Sequence, residues 1–228
     1  MKTILVSIFS LCILFSTSAS AQVLRAGVNF ANISITNDGD IDRNNTLVNF
    51  QAGISGDIAL TSFLFFQPGL ILTGKGSKTE QGNTSGNTWY RATSNPWYIE
   101  LPASLIFKTP GGKTTPRFFA GAGPYLGIGI AGNNKVEGKF LGASFSSEKN
   151  IEWSNDDPST LNYEEGAGYG IMKRFDYGLN GLAGLEFSRS VISVQYGLGL
   201  AKLQSGSNSS ADDKNKHRVL SIILGIKL

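Results

Sequence analysis

The chain has 228 residues, of which 41% are hydrophobic, 16% are charged and 28 are glycine. Soluble domains carry about 25% charged residues and about 7% glycine, so this composition is unusual for a water-soluble protein. The hydrophobic content excludes intrinsic disorder, and glycine spread through every segment excludes a helical bundle. A formal net charge of only +3 argues against a nucleic-acid partner, and the length suits one β-sandwich or barrel domain.

Residues 1–21 have the pattern of a cleaved secretory signal peptide. Lys2 gives a positive start, residues 4–15 are apolar, and residues 19–21 supply the small side chains of a cleavage site. The alternative, a retained membrane anchor, requires about 20 apolar residues. The one cysteine, Cys12, lies in the apolar stretch, so the predicted mature chain from Gln22 has no thiol and no disulfide.

Eight later segments alternate apolar and polar residues with a period of two, which is typical of half-buried strands. The predicted strands cover residues 24–31, 48–58, 64–75, 98–108, 117–130, 174–187, 192–200 and 220–228. Strands of roughly this length can cross a bilayer at a tilt. No segment after the signal is long and apolar enough for a membrane helix, so we expect the chain to cross with strands.

The connections between these segments alternate between short and long. The short ones are residues 61–62, 109–115 and 188–190, and the long polar ones are residues 36–46, 79–96, 132–173 and 204–216. This alternation predicts one all-β domain over residues 22–228, an eight-stranded antiparallel up-and-down transmembrane β-barrel with short periplasmic turns and long extracellular loops. The third long connection also has room for an extra hairpin through residues 140–145.

The direction in which the apolar face points distinguishes a membrane barrel from a soluble lipocalin-like barrel. A soluble barrel would show water a surface rich in Lys and Glu, but here the positions between the apolar ones are mostly Gly, Ser, Asn and Gln. This favours lipid outside and a narrow packed lumen inside. Isolated charges there would be costly, so we expect a mutually paired network. The residues predicted for this lumen network are Arg25, Asp57, Glu100, Arg117, Arg174, Asp176 and Glu186.

Five short motifs follow one another across the predicted mature chain. They occupy residues 26–32, 66–70 with the following 75–76, 98–102, 122–127 and 181–186. In this order and spacing they resemble the landmarks of the PorT-like outer-membrane β-barrel proteins of Bacteroidota. The resemblance implies an eight-stranded barrel in the outer membrane and, by analogy with the family's namesake, a part in protein secretion.

Two ligand-binding motifs are incomplete. Residues 69–75 satisfy G-x-x-x-x-G-K, but Gly76 stands where a phosphate loop needs Ser or Thr for magnesium, and the segment is predicted as a strand. Asp38, Asp40 and Asp42 have the spacing of a calcium loop, but Arg43 replaces its turn glycine. We therefore expect a strand at residues 69–75 in place of a phosphate loop, and a solvated acidic loop at residues 38–42 in place of a calcium site.

His217 is the one histidine, at the entry to the last predicted strand. The hydroxyl and carboxyl residues near it in the sequence are Ser209, Ser210, Asp212 and Asp213. Neighbours on a polar loop do not make a triad, so we expect a solvated histidine at the rim and no enzyme. Zinc is not expected, because the mature chain has no second His or any Cys as ligand.

Aromatic residues cluster near the long connections. Trp97 and Tyr98 are predicted to lie at the bilayer interface, as part of an aromatic girdle. The loop aromatics have two possible interpretations, which the sequence does not decide between: part of the girdle, or a platform that binds carbohydrate or another ligand. These loop aromatics are Trp89, Tyr90, Trp153 and Tyr163.

The sequence thus predicts an outer-membrane barrel with no catalytic, cofactor-binding or metal-binding residues. The predicted role is structural, adhesive or accessory to secretion, through the loops or the periplasmic rim. The alternative is a small pore or a ligand-binding barrel, including a soluble periplasmic carrier. Expected partners are outer-membrane lipid and other envelope or secretion-system proteins, with no nucleic acid and with a monomeric barrel.

Overall fold

The computed structural model describes residues 21–34, 46–111, 115–153, 171–203 and 216–228. These residues form twelve strands: β1 (Ala21–Ser34), β2 (Leu47–Ala59), β3 (Leu64–Gly74), β4 (Ser77–Gly82), β5 (Trp89–Lys108), β6 (Arg117–Phe140), β7 (Ala143–Asn150), β8 (Glu152–Trp153), β9 (Ile171–Met172), β10 (Phe175–Glu186), β11 (Ser190–Gly199) and β12 (Lys216–Lys227). The described residues contain no helix long and apolar enough to cross a membrane. Residues 1–20 of the predicted signal peptide and the aspartates at positions 38, 40 and 42 lie outside the described residues, and Ala21, the last residue of that predicted peptide, begins β1.

Eight of these strands close into an antiparallel ring. The order is β1-β2-β3-β5-β6-β10-β11-β12, with β12 pairing back to β1. Within this order, Arg25 of β1 pairs with Gly53 on β2 and with Gly225 on β12. The pairing of β5 with β6 completes the ring, and its eight strands are the eight predicted from the sequence.

The two rims of the ring differ in their connections. The short-turn rim carries the β2–β3, β5–β6 and β10–β11 connections together with Ala21 and Leu228, whose amide donates to the carbonyl of Gln22 at 2.9 Å. The opposite rim, which we call the long-connection rim, is where the chain passes from β1 to β2, from β3 to β5, from β6 to β10 and from β11 to β12. This arrangement follows from an even number of strands that run alternately up and down.

The sheet that forms the ring extends beyond the long-connection rim, and we call this extension the blade: residues 77–82, 89–96, 132–140 and 143–150. It consists of β4, the first part of β5, the last part of β6 and β7. β5 and β6 have 20 and 24 residues, about twice what a strand needs to cross a bilayer. A shift of register at Trp97 and Tyr98 marks the junction between the ring and the blade.

The turn between β6 and β7 confirms the hairpin predicted through residues 140–145. Leu141 and Gly142 have φ angles of 48° and 90°, the left-handed backbone that a two-residue hairpin turn requires. All eight residues of β7 are exposed, and β7 forms one edge of the blade.

The outer surface of the ring is apolar. Phe50, Leu126 and Leu224 have 61%, 64% and 61% of their surface exposed, whereas Asn29 and Asp176 are almost fully buried inside. The apolar face therefore points outward, as expected for a barrel whose outer surface contacts lipid.

Glycines let the inner faces of neighbouring strands approach closely. A Cβ atom on Gly123 of β6 would lie 2.1 Å from the carbonyl oxygen of Ala103, and one on Gly53 of β2 would lie 2.2 Å from that of Leu70. Backbone atoms cannot yield as a flexible side chain can, so a larger residue at either position would distort the ring.

Candidate functional site

A buried group of charges surrounds Lys75 in the half of the lumen nearer the long-connection rim, and we call it the central cluster. The Lys75 ammonium lies 2.8 Å from Glu100 Oε2 and 2.8 Å from Asp176 Oδ2. Tyr125 donates its hydroxyl to Asp176 at 3.2 Å, and Asn180 donates to Glu100 at 2.9 Å. Since the three charged groups come from the end of β3, from β5 and from β10, the cluster joins strands across the lumen.

Polar residues extend this network around the central cluster. Arg25 is buried and donates from Nη2 to Gln195 Oε1 at 2.8 Å. Asn29 donates to Thr73 Oγ1 at 2.9 Å and accepts from Ser221 at 2.8 Å. Buried polar groups need such partners, so these bonds keep the lumen polar without leaving it open.

A second group of charges, the rim cluster, lies toward the short-turn rim. Lys108 Nζ is 2.5 Å from Asp57 Oδ2 and 2.5 Å from Glu186 Oε2, and Lys227 reaches the other oxygen of Glu186 at 2.5 Å. Gln67 donates to Asp57 at 2.8 Å. The two carboxylates thus meet two ammonium groups, which offsets the cost of burying charge.

An apolar lid covers the lumen toward the long-connection rim. It is formed by Ile33, Ile151, Met172, Leu203 and Trp153. The Trp153 ring lies so close to the backbone of β6 that a Cβ atom on Gly129 would be 2.2 Å from it. The lid therefore depends on a glycine in the strand beneath it.

Two cavities in the lumen that are lined by described residues are small. One cavity of about 30 Å³ lies beside Arg25 and Lys108, and another of about 10 Å³ lies beside Lys75 and Gln195. Holding one water requires roughly 10–15 Å³ of such space, so these cavities have room for only a few waters. Among the residues described, no three His, Cys, Asp or Glu side chains gather as metal ligands.

A family comparison agrees with this architecture. Residues 17–205 match the family described as "Outer membrane protein beta-barrel domain". The chain belongs to this family. Its location is accordingly the bacterial outer membrane.

Solved structures of other proteins are similar to this chain at low identity. Ail, the attachment invasion locus protein of Yersinia pestis, is 14% identical with a TM-score of 0.39, and the match covers 93% of this chain and 100% of Ail. Ail in complex with the heparin analogue sucrose octasulfate is 12% identical with a TM-score of 0.39, over 91% and 99%. Neisserial surface protein A is 13% identical with a TM-score of 0.40, over 91% and 96%. The comparison with curated proteins finds no match.

The structure of this outer-membrane barrel brings together most of the predicted lumen network. The members that lie buried in the lumen are Arg25, Asp57, Glu100, Asp176 and Glu186. The prediction omitted the two lysines that join the carboxylates, Lys75 and Lys108. Both stand on the polar face of their segments, so the same alternation could have found them.

Two predicted members of the network lie elsewhere. Arg174 is exposed at the long-connection rim, because it precedes β10 and lies outside the regular alternation of that strand. Arg117 lies at the short-turn rim, where its Nε donates to the carbonyl of Thr109 at 3.0 Å and its guanidinium stacks over Phe65. Proximity to a strand end places both arginines outside the lumen clusters.

Tyr98 and His217 also differ from expectation. Tyr98 is fully buried and not at the bilayer interface, since alternation along β5 places it on the same inner face as Glu100. His217 is buried and not solvated; its Nε2 lies 3.3 Å from the Tyr98 hydroxyl. Trp97 is half-buried on the opposite face of β5. The serines and aspartates near His217 in sequence, positions 209, 210, 212 and 213, lie outside the described residues.

The aromatic residues of the long connections are dispersed. Trp89 and Tyr90 are half-buried on the blade part of β5, where the Arg91 guanidinium lies 5.7 Å from the centre of the Trp89 ring. Trp153 belongs to the lid and packs edge-on against Tyr98. Tyr163 lies outside the described residues. The three described aromatics therefore divide between the blade and the lid.

The blade carries its own ion pairs. Arg91 lies 2.5 Å from Glu80 on β4 and 3.0 Å from Glu137 on β6. Hydrogen bonds from Lys135 and Arg91 lower the pKa of Glu137, and Glu137 and Glu80 in turn raise the pKa of Arg91. The stability that Glu137 contributes is therefore present above the ordinary carboxylate range and is lost as the pH falls through its lowered pKa. Because these groups are partly exposed, each pair contributes about 1 kcal/mol or less.

Proposed function

We propose that this protein is a non-conducting barrel that acts through its ends, as an adhesion or interaction protein of the outer membrane. The filled lumen carries this proposal: two clusters of ion pairs and an apolar lid lie in series along it. The two cavities described above, of about 30 and 10 Å³, are too small for a substrate. We assign no catalytic role.

The short-turn rim faces the periplasm in this proposal, and the blade faces the outside of the cell. Short periplasmic turns and longer outer loops are the common arrangement in such barrels. The proposal includes the cleaved signal peptide over residues 1–21 and membership of the PorT-like group of Bacteroidota, which the five sequence motifs support. A part in secretion rests on that resemblance alone.

The blade favours adhesion or partner binding among the proposed roles. Its strands stand beyond the lipid-facing band, and Arg91 ties three of them together through Glu80 and Glu137. Every residue of the edge strand β7 is exposed. A stiff sheet with an exposed edge is suited to contacts with another protein.

Two alternative functions fit the geometry less well. A pore would need a continuous polar passage, but Lys75 and Lys108 are each held by two carboxylates across the lumen. A soluble carrier would need a polar outside and a roomy interior, whereas the outer surface is apolar and the interior is filled.

Conductance measurements test the closed lumen. Purified protein reconstituted in planar bilayers is expected to give no steady conductance, because the ion pairs and the lid block the path. A general porin measured in parallel shows that insertion and recording work. Steady single-channel currents from the wild-type barrel would contradict the proposal and favour the small pore.

Labelling of single cysteines tests the orientation. In a background in which Cys12 is replaced by serine, Ser146→Cys on β7 is expected to react with a membrane-impermeant maleimide on intact cells. Ser62→Cys in the β2–β3 turn is the matched control and is expected to react only after lysis. The opposite pattern would reverse the orientation.

A further inference from the structure

The far end of the blade is apolar and exposed. Three side chains at or beside the turn between β6 and β7 form this end, and we call Phe140, Leu141 and Phe145 the apolar tip. Their exposed fractions are 62%, 80% and 45%. The amide of Gly142 donates to the carbonyl of Asn87, in the connection between β4 and β5, at 3.2 Å. Both turns of the blade therefore meet at the apolar tip.

Leucine at position 141 is unfavourable for folding. The φ angles of 48° at Leu141 and 90° at Gly142 are those of a type I′ turn, whose first position favours Asn, Asp or Gly. A bulky side chain on left-handed backbone is strained, and this one also faces water. Since neither the turn nor packing within the blade explains the leucine, its side chain indicates a contact with another molecule.

Amphipathic side chains follow directly behind the apolar tip. Lys139 of β6 pairs with Trp89 of β5, and it makes no ion pair with another described residue. Tyr90 pairs with Gly138. The Phe145 ring covers Gly138, where a Cβ atom would lie 2.6 Å from the ring. A free cation and two amphipathic aromatic rings thus stand next to the exposed apolar side chains.

Ion pairs begin one step further back along the blade. They join Arg91 to Glu80 and Glu137, and Glu137 is three residues from Phe140, roughly 10 Å along β6. Over this distance the blade changes from apolar, to aromatic and cationic, to charged. A lipid interface has the same order, since interfacial segments bury about 5–10 Å and Trp, Tyr and Lys favour the headgroup level.

The size of the apolar tip also favours lipid over a protein surface. Three large side chains at these exposures present roughly 300–400 Å² of apolar surface. A stable protein interface takes about 800 Å² from each partner and needs a complementary shape. A fluid bilayer adapts to a narrow projection, so an apolar tip of this size is sufficient to insert into it.

The length of β6 places the apolar tip away from the bilayer that the barrel spans. Residues 132–140 continue β6 past its junction with the ring and extend roughly 30 Å. Even at the 45° tilt of barrel strands, this raises the tip roughly 20 Å above the rim. The headgroup layer is only about 5–8 Å thick, so the tip reaches beyond it.

We propose that the apolar tip inserts into a second lipid bilayer, opposite the one that the barrel spans. Phe140 and Leu141 enter the boundary of the acyl chains, and Lys139 and Trp89 lie among the headgroups, where the lysine attracts anionic lipid. This inference deepens the proposed adhesive role and rests on the proposed outward orientation of the blade.

Flotation with vesicles tests the proposal. The intact barrel in phosphatidylcholine nanodiscs is mixed with vesicles of equimolar phosphatidylcholine and phosphatidylglycerol, and empty nanodiscs serve as the blank. The variant F140S/L141N is expected to lower the partition coefficient at least about tenfold. L141N creates the Asn-Gly pair that type I′ turns prefer, so the hairpin is expected to stay folded. The control S144N/S146N changes exposed positions of β7 and is expected to bind like the wild type.

An environment-sensitive fluorophore reports where the tip lies. In the background that lacks Cys12, the fluorophore NBD on Ala143→Cys, beside the turn, is expected to shift to the blue with vesicles. Spin-labelled acyl chains are expected to quench it. On Ser146→Cys, three residues further along β7, the fluorophore is expected to keep its spectrum.

Equal partition of the wild type and F140S/L141N would overturn the proposal, as would a wild type that does not float with the vesicles. Association of the barrel-containing nanodiscs with one another, lost in F140S/L141N, would identify a contact between copies and would also overturn it. Maleimide labelling of intact cells reports the orientation independently, so failure of the orientation and failure of lipid insertion are distinguishable.

Discussion

Replacing Lys75 with methionine is expected to destabilise the barrel by about 3–5 kcal/mol, because it leaves buried carboxylates without their cation. Lys75 lies 2.8 Å from both Glu100 and Asp176, and all three side chains are almost completely buried. Methionine fills a similar volume, so the loss comes from charge and not from packing. Urea unfolding in lipid vesicles, followed by tryptophan fluorescence, measures the change.

Two further variants show whether the effect is that of buried charge. The double variant K75M/D176N removes one cation and one carboxylate, so that the buried Arg25 still balances the charge of Glu100, and it is expected to recover most of the lost stability. Arg91→Met removes a partly exposed cation with two carboxylate partners in the blade, and is expected to cost about 1 kcal/mol or less. A Lys75→Met variant as stable as the wild type would show that the central cluster does not hold the lumen together.

Replacing Leu224 with arginine is expected to cost about 2–4 kcal/mol, because it places a charge on the lipid-facing surface near the middle of the bilayer. Leu224 is 61% exposed on β12, between Ile222 and Ile226 on the same outer face. Reversible unfolding in vesicles measures this cost.

Depth in the bilayer provides the control for this prediction. Leu228 is 77% exposed and ends the chain at the short-turn rim, where arginine is expected to cost about 1 kcal/mol or less. Similar small costs at both positions would contradict a lipid-facing outer surface. A larger cost at the rim than at the middle would do so as well.

Strand alternation was sufficient to predict the eight ring strands, because each strand separates a lipid-facing side from a lumen-facing side. Alternation also placed Asp57, Glu100, Asp176 and Glu186 on the inner face. It did not reveal which cation meets which carboxylate. Lys75 and Asp176 are 101 positions apart in the chain, and only ring closure brings them within hydrogen-bond distance.

Strand ends were harder to predict than strand centres. Arg174 and Arg117 stand at the ends of their strands, where the side chains can turn toward solvent. The blade was missed except for its hairpin, since polar strands above a membrane lack the apolar alternation that marks the ring. β7 has no buried face, and its pairing with β6 follows from the turn at Leu141 and Gly142.

By itself, the sequence determined the number of ring strands, the two faces of each strand and the outward direction of the apolar one. These properties are local, because a period of two assigns each residue to a face without knowledge of its neighbours in space. The tertiary structure decided how the lumen is filled: the partners of Lys75 and Lys108, the burial of Tyr98 and His217, and the lid around Trp153. These depend on the register and closure of the ring, which bring distant segments together.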